Sequence, residues 1–249
     1  MKKLIVLSAC LCGMSAVSAR VVHVAVAANF TAPMKDLQPI YEKLTGDQLR
    51  LSFGGTGAFY TQIKNGAPFD VLLAADSKTP TKLVQEGIGV SGSQFTYAVG
   101  RLVLWSAQEG VVQGRGSLKE NQDIKLAIAN PKLAPYGQAG YEVLNHLQLT
   151  SVWKGKIVEG ESIGRTYQFV ASGNAKMGFV AMSQCTKNGQ WVKGSGWIVP
   201  QEYYQPITQD AVLLKKTEEN EGAKRFMNFL QTNPEVQKIR RMYGYGQAQ

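Results

Sequence analysis

The sequence predicts an α/β protein with two lobes, each a mixed sheet flanked by helices, and a ligand cleft between the lobes. Strand-like and helix-like segments alternate along the 249 residues, which is typical of α/β proteins. The chain also exceeds the roughly 100–200 residues of one domain. Two long β-prone segments, at 94–107 and 207–214, lie on either side of a further α/β set. We therefore expect each of them to cross from one lobe to the other.

The N-terminus predicts a cleaved secretory signal peptide over residues 1–19. Two lysines, a mostly apolar stretch and a small-residue motif at 17–19 follow one another there, which is the order found in such signals. The apolar stretch is shorter than the roughly 20 residues that span a membrane. A lipobox-like segment at 7–10 leaves lipidation of Cys10 open as an alternative.

The first-lobe elements alternate in type. The β-branched segment 21–27 predicts a strand, and the helical spacing of 31–45 predicts a helix that ends before Gly46, a favourable residue after a helix. Pro39 predicts a kink or interruption within that helix. The following predicted elements are a strand at 49–53, a helix at 58–65, a strand at 70–75, and a helix with Thr79 as N-cap and Pro80 as its first residue.

The second α/β set repeats this alternation. It is followed by the second crossing segment and two final helices. The predicted elements are a strand at 125–129, helices at 138–147 and 162–171, a strand at 177–182, and final helices at 218–231 and 234–242.

Four strand-to-helix junctions are candidate anion sites. Asn29 follows the first strand as a candidate N-cap whose amide can donate to an oxyanion, and Thr56 ends a glycine-rich loop at 52–57. The third junction leads into a helix after Tyr136, and the fourth has a helix start at Ile163. Free backbone N–H groups and the helix dipole make helix starts favourable for anions.

The four junctions together support a ligand site more strongly than any one of them does. Each one alone is more simply explained as ordinary helix capping. Two in each predicted lobe, all at the carboxyl ends of strands, is the arrangement that open α/β sheets use to bind ligands. The glycine-rich loop is not a phosphate-binding P-loop, because no Gly-Lys-Ser/Thr follows it.

Composition narrows the classes of partner. Removing the two lysines of the signal peptide lowers the net charge from +9 to +7, and a positive surface helps to attract anions. Lysine and arginine are scattered along the chain, so we expect no nucleic-acid binding. The mature chain keeps one cysteine, Cys185. It therefore has no internal disulfide, and its stability must come from the core.

Motifs spread over nearly the whole mature chain resemble the periplasmic molybdate-binding proteins of ABC uptake systems, which are type II periplasmic solute-binding proteins. The most specific is the block around Gly66-Ala67-Pro68 with the downstream Ala75-Asp76. The matching segments are 27–30, 52–57, 62–71, 74–76, 95–106, 134–137 and 178–181.

The resemblance implies a periplasmic binding protein, mature from about Arg20, with two lobes joined by a two-strand hinge. It implies capture of molybdate, and of tungstate, for a membrane-embedded ABC permease by a monomer that needs no cofactor. Together with the two crossings it places lobe I at 20–99 and 205–249, and lobe II at 100–204. By position, the neutral contacts to the oxyanion, and hence to its metal centre, fall on Asn29, Thr56, Tyr136 and Ile163.

This chain departs from some members of the family. Ala181 stands where they have a tyrosine, and Asn29 where they have a serine, which leaves the preference between molybdate and tungstate open. Two other functions have weaker support in the sequence. An enzyme would need Cys185 as a nucleophile, and nothing near it in sequence indicates activation; we expect no enzyme. A binding protein for sulfate, phosphate or a phosphonate remains the alternative.

Overall fold

The structure, a computed structural model, describes residues 19–121 and 123–246. The predicted signal peptide therefore lies outside the described residues, except for Ala19. The described chain forms two five-stranded sheets flanked by helices, with a small two-stranded hairpin beside them. The predicted α/β fold class is confirmed.

The strands agree with the predicted ones where those were strongly β-prone. In chain order the strands are β1 (Val21–Ala27), β2 (Gln48–Gly54), β3 (Val71–Leu73), β4 (Phe95–Gly100), β5 (Leu102–Ser106), β6 (Leu126–Ala129), β7 (Ile157–Gly160), β8 (Met177–Ala181), β9 (Thr186–Lys187), β10 (Gln190–Trp191), β11 (Ser195–Ile198) and β12 (Ile207–Leu213).

The helices alternate with these strands, together with short 3₁₀ turns at 28–30, 201–203 and 215–217. In chain order the helices are α1 (Thr31–Thr45), α2 (Thr56–Lys64), α3 (Lys78–Gln85), α4 (Ser117–Glu120), α5 (Pro135–His146), α6 (Thr150–Trp153), α7 (Ile163–Ala171), α8 (Met182–Cys185), α9 (Glu221–Thr232) and α10 (Pro234–Met242). None of the described helices is long and apolar enough to cross a membrane.

The first sheet has the order β2-β1-β3-β12-β4. Strand β1 pairs in parallel with β2 and β3, whereas β12 is antiparallel to β3 and β4. The valines Val22, Val24 and Val26 of β1 are fully buried beneath α1, α9 and α10, as expected for a central strand covered on both faces. The carboxyl ends of β1 and β2 therefore meet at one edge of this sheet.

The second sheet has the order β11-β5-β8-β6-β7. Strand β6 is parallel to β7 and β8, and β5 is antiparallel to β8. Trp153 and Phe179 are fully buried on the side of α5 and α6. Since β6 and β7 run in the same direction, their carboxyl ends also meet at one edge.

Two connections join the sheets, and the sequence predicted only one of them correctly. The segment 94–107 divides at Arg101 into β4 of the first sheet and β5 of the second, which confirms the first crossing. The prediction that 207–214 crosses is wrong, because β12 pairs on both sides with first-sheet strands. The connection instead lies between Ile198 and Ile207. The lobe boundaries at 20–99, 100–204 and 205–249 stay a prediction.

Three helix predictions need correction. Helix α1 runs without interruption through Pro39, because its buried face packs into the first core, and such packing supplies most of a helix's stability. Helix α3 begins at Lys78, ahead of Pro80, with Ser77 as N-cap in place of Thr79. Helix α5 begins at Pro135, whose fixed φ suits the first turn.

Candidate functional site

A small cavity lies between the two sheets and joins all four predicted junctions. Its volume is about 10 Å³. The first sheet supplies the lining through the ends of β1 and β2, and the second through the starts of α5 and α7. The lining residues are Ala27, Ala28, Asn29, Gly54, Gly55, Thr56, Ala75, Ala134, Pro135, Tyr136 and Ile163. All four residues predicted to contact an oxyanion are among them.

Three helices begin at this cavity. Thr56 is the first residue of α2, Tyr136 the second of α5 and Ile163 the first of α7. The first N–H groups of a helix have no partner within it, and they carry the positive end of the helix dipole. Ser162 caps α7 by accepting the N–H of Arg165 at 3.2 Å. Because Ile163 is the first residue of α7, its own N–H has no partner within the helix. Together these helix starts form an anion-binding arrangement.

Thr56 offers a hydroxyl whose orientation is set by the first sheet. The residue is only 2% exposed, and its Oγ1 accepts the backbone N–H of Ala75 at 2.9 Å. A threonine hydroxyl that accepts one bond still has its own hydrogen to donate. The contact with Ala75 therefore leaves Thr56 a donor to a ligand in the cavity.

Asn29 has a different environment from the one predicted. It lies in the 3₁₀ turn before α1, the N-cap of α1 is Phe30, and neither helix start has a side-chain cap bond; the N-cap prediction is wrong. Its Nδ2 donates to Gln209 Oε1 at 2.8 Å and to Tyr245 Oη at 2.9 Å. Both amide hydrogens are thus engaged within the protein, and Oδ1 is buried with no hydrogen-bond partner among the described residues.

Tyr136 reaches from the second sheet to the first. Its Oη accepts Gln209 Nε2 at 2.9 Å, and the side chain is 1% exposed. Burial, followed by the neighbouring Tyr245, raises the pKa of Tyr136 far above its usual value. The phenol therefore stays protonated, and with its backbone N–H near the start of α5 the residue is a neutral donor.

The cavity lining carries no lysine, arginine, histidine or carboxylate among the described residues. A dianion held here would be stabilised by neutral hydrogen bonds and helix starts alone. Such bonds to a charged group are each worth about 1.5–3 kcal/mol. The site chemistry therefore suits an anion that needs many donors and no paired cation.

A larger cleft of about 580 Å³ adjoins the cavity and shares Ala75, Ala134 and Pro135 with it. Lys78 and Lys132 are among the residues that line this cleft. Their positive charges favour the approach of an anion from solvent.

Asp76 also lines the cleft. It accepts the N–H of Thr79, in the first turn of α3, at 2.7 Å. Burial raises the pKa of its carboxyl, although the hydrogen bonds from Thr79 oppose that shift. Asp76 thus belongs to the wall of the cleft and not to the lining of the small cavity.

The described residues show no metal-binding cluster. No three of their histidine, cysteine, aspartate and glutamate side chains lie together as a metal site would require. Cys185 is 1% exposed, and burial raises the pKa of its thiol well above the usual range, so it is not activated as a nucleophile. His146 stacks on Tyr203 with ring centroids 4.2 Å apart.

The sequence did not reveal Gln209 and Tyr245, which surround Asn29. Gln209 is 0% exposed on β12, and Tyr245 Oη donates to the backbone carbonyl of Asn29 at 2.8 Å. One signal was available: a glutamine in the middle of a strongly β-prone segment. A buried polar side chain must find partners, and these turn out to be at the site.

Known proteins resemble this chain over nearly its whole length. A family model described as bacterial extracellular solute-binding protein matches residues 22–246. The molybdate-binding protein ModA of Azotobacter vinelandii is 55% identical over 232 residues, which are 93% of this chain and 92% of that protein. ModA of Rhodobacter capsulatus is 50% identical over 222 residues, which are 89% of this chain and 86% of that protein.

A solved structure has the same fold. The periplasmic molybdate-binding protein of Azotobacter vinelandii superimposes with a TM-score of 0.87 at 41% identity. The superposition covers 92% of this chain and 100% of that chain. Both sheets and the helices around the cavity therefore have counterparts in a solved protein.

Proposed function

Because this chain belongs to the bacterial extracellular solute-binding protein family, we propose that it captures molybdate in the periplasm and delivers it to a membrane-embedded ABC permease. The predicted family resemblance is confirmed by these matches. The family consists of solute-binding proteins and not of enzymes, which confirms the non-enzymatic prediction. We propose tungstate as a second ligand, since it is also a tetrahedral dianion.

One observation carries this proposal. Asn29, Thr56, Tyr136 and Ile163 come from four separate junctions and line one small cavity whose lining has no lysine, arginine, histidine or carboxylate. We propose that they hold the oxyanion through backbone N–H groups and through the Thr56 hydroxyl. The contact to the metal centre is indirect, through the oxygens of the anion, and no resident cofactor takes part.

Selection among tetrahedral anions is proposed to depend on size. Molybdate and sulfate share shape and charge, but the metal–oxygen bonds are longer. A cleft closed to fit the larger ion leaves sulfate with stretched hydrogen bonds, and poorly made bonds are costly in a desolvated site. Phosphate carries a proton near neutral pH, and a site of donors gives that proton no acceptor.

The test is a thermal-shift panel with molybdate, tungstate, sulfate and phosphate, supported by titration calorimetry. Ligand at about 1,000 times its Kd adds roughly 4 kcal/mol of stability. At about 2–4 °C per kcal/mol for a chain of this size, the midpoint should rise by roughly 8–16 °C. Sulfate at the same concentration should shift it little. Equal shifts for sulfate and molybdate would reduce the proposal to a general oxyanion-binding protein, which is the alternative function.

The cellular part of the proposal has its own tests. We propose export through the signal peptide at 1–19, so the purified periplasmic protein should begin near Arg20 by N-terminal sequencing. We also propose a monomer, which light scattering with and without molybdate would measure. A lipid-modified Cys10 or a stable dimer would contradict these two points without affecting the ligand.

A further inference from the structure

Gln209 is a buried amide that links both sides of the oxyanion cavity. It lies on β12 and is 0% exposed. Its Oε1 accepts from Asn29 Nδ2 at 2.8 Å and from Tyr97 Oη at 3.1 Å. Its Nε2 donates to Tyr136 Oη at 2.9 Å. One side chain thus contacts a cavity residue from each sheet without itself lining the cavity.

Two local features give Gln209 this position. The pairing of β12 with β4 shifts register between Gln209 and Asp210, and such bulges re-aim side chains next to functional sites. On the facing strand, a Cβ at Gly100 would lie 2.1 Å from Tyr136 Oη and 2.5 Å from Gln209 Nε2. Only a glycine at position 100 therefore leaves room for the tyrosine and the glutamine to meet.

The hydrogen-bond pattern leaves one atom unsatisfied at the site. Asn29 lines the cavity, and its Oδ1 is buried with no partner among the described residues, while both Nδ2 hydrogens are engaged. An acceptor without a partner is costly when buried. It is also the wrong group to place beside an anion, which requires a donor.

A second arrangement uses the same atom positions. Turning a planar amide over exchanges its oxygen and nitrogen with little other movement. If Asn29 turns, its oxygen faces Gln209 at 2.8 Å, so Gln209 must turn as well to present Nε2. Gln209 Oε1 then accepts from Tyr136 Oη over 2.9 Å. Tyr245 Oη, at 2.9 Å, turns its hydrogen from the Asn29 backbone carbonyl to the asparagine side-chain oxygen. The carbonyl keeps the hydroxyl of Ser183 at 2.7 Å, and the asparagine N–H is free for a ligand.

We propose that Gln209 is a positioning residue of the oxyanion site: oxyanion binding turns the Asn29 and Gln209 amides over together, so that Asn29 becomes a donor to the anion. The inference rests on the proposed function. It makes Gln209 responsible for the choice between an acceptor and a donor at the cavity, and it couples that choice to the hydroxyl of Tyr136 in the other sheet.

The test replaces Gln209 with a group whose donor depends on pH. In Gln209→Glu, an ionised carboxylate only accepts, so it holds Asn29 in the orientation with Nδ2 turned inward. A protonated carboxyl can donate to the asparagine and accept from Tyr136, as the turned glutamine does. The pKa of a buried glutamate rises to about 8–9. Molybdate affinity of Gln209→Glu should therefore fall as pH rises through about 8–9, and binding at and above that pH should take up a proton.

Calorimetry in buffers of different ionisation enthalpy measures that proton directly. The parent protein should take up no proton at position 209 when it binds molybdate. Gln190→Glu makes the same change at an exposed residue of β10, and it should behave like the parent. Gln209→Met, which neither donates nor accepts in this way, should weaken binding at every pH. Its loss should be roughly 10- to 100-fold, the range for removing partners that orient a ligating group.

A negative charge near the cavity could by itself repel the anion, and the Asn29→Ala background separates that effect. Without the amide, the pH dependence caused by Gln209→Glu should shrink to its electrostatic part. The other ionisable groups around the cluster are Tyr97, Tyr136, Tyr204, Tyr245, Asp76, Asp210 and Arg240. All of them are present in every variant, so comparison with the parent removes their contribution.

The outcomes are distinguishable. If the parent binds no tetrahedral oxyanion, the proposed function is wrong and this inference falls with it. If the parent binds molybdate but Gln209→Glu binds equally well at each pH without proton uptake, only the inference is overturned. An undiminished pH dependence in the Asn29→Ala background would show that charge, and not amide turning, is responsible.

Discussion

Removal of the Thr56 hydroxyl tests the site most directly. Thr56→Val keeps the shape of the side chain and deletes Oγ1, which accepts the Ala75 N–H at 2.9 Å. Two effects follow. The Ala75 N–H is left buried without a partner, and the proposed donor to the oxyanion is lost. The first effect acts on the folded protein with or without ligand, whereas the second acts only on binding.

The two magnitudes follow from the burial of this group. An unpaired buried N–H costs about 1–3 kcal/mol, which should lower the melting midpoint of the ligand-free protein by roughly 2–12 °C. A lost hydrogen bond to a charged ligand costs about 1.5–3 kcal/mol. Molybdate affinity should therefore fall by roughly 10- to 150-fold at constant temperature.

The assay is calorimetric titration of molybdate, with the unfolding midpoint of each ligand-free variant measured separately. Thr56→Ser retains the hydroxyl and should bind like the parent. Thr61→Val is the matched control, because Thr61 lies on the same helix with an exposed hydroxyl bonded to the carbonyl of Gly57 at 3.2 Å. If Thr56→Val binds molybdate as tightly as Thr61→Val, the hydroxyl is not a ligand and the proposed site is wrong.

Three further predictions concern the packing of Gly164 against Ala28, the ion pair of buried Asp47 with Arg225, and the thiol of Cys185. A Cβ at Gly164 would lie 2.9 Å from Ala28 Cβ, so Gly164→Ala should weaken molybdate binding roughly 5- to 150-fold through overpacking of about 1–3 kcal/mol; adding Ala28→Gly should restore it. Arg225 Nη2 contacts buried Asp47 at 2.7 Å, and Asp47→Asn should cost about 1.5–3 kcal/mol in the free energy of unfolding near neutral pH. Burial opposes ionisation of Asp47, but the hydrogen bonds from Arg225, the Arg20 backbone and Tyr41 together outweigh it and lower its pKa below 3.8. The stabilisation is complete above that pH and is lost as pH falls through the lowered pKa. Acid-unfolding curves of parent and variant should therefore converge. Cys185→Ala should leave the Kd unchanged, and the buried thiol of the parent should resist a thiol reagent near about pH 8.

The sequence alone located three of the four junctions to within three residues. Thr56, Tyr136 and Ile163 stand at the first turns of α2, α5 and α7, where the predicted helices began at 58, 138 and 162. Caps and turns depend on a few neighbouring residues, so they can be inferred without the fold. The motif block around Gly66-Ala67-Pro68 likewise identified the family.

The tertiary structure decided how these starts meet and which groups orient them. Gln209 lies 180 positions from its partner Asn29, and no local pattern records that contact. Packing also overrode Pro39 within α1 and placed β12 wholly in the first sheet. Hydrogen bonds between distant segments exist only after the chain has folded. For that reason the sequence predicted Asn29 as a donor, and only the folded chain showed its amide hydrogens engaged by Gln209 and Tyr245.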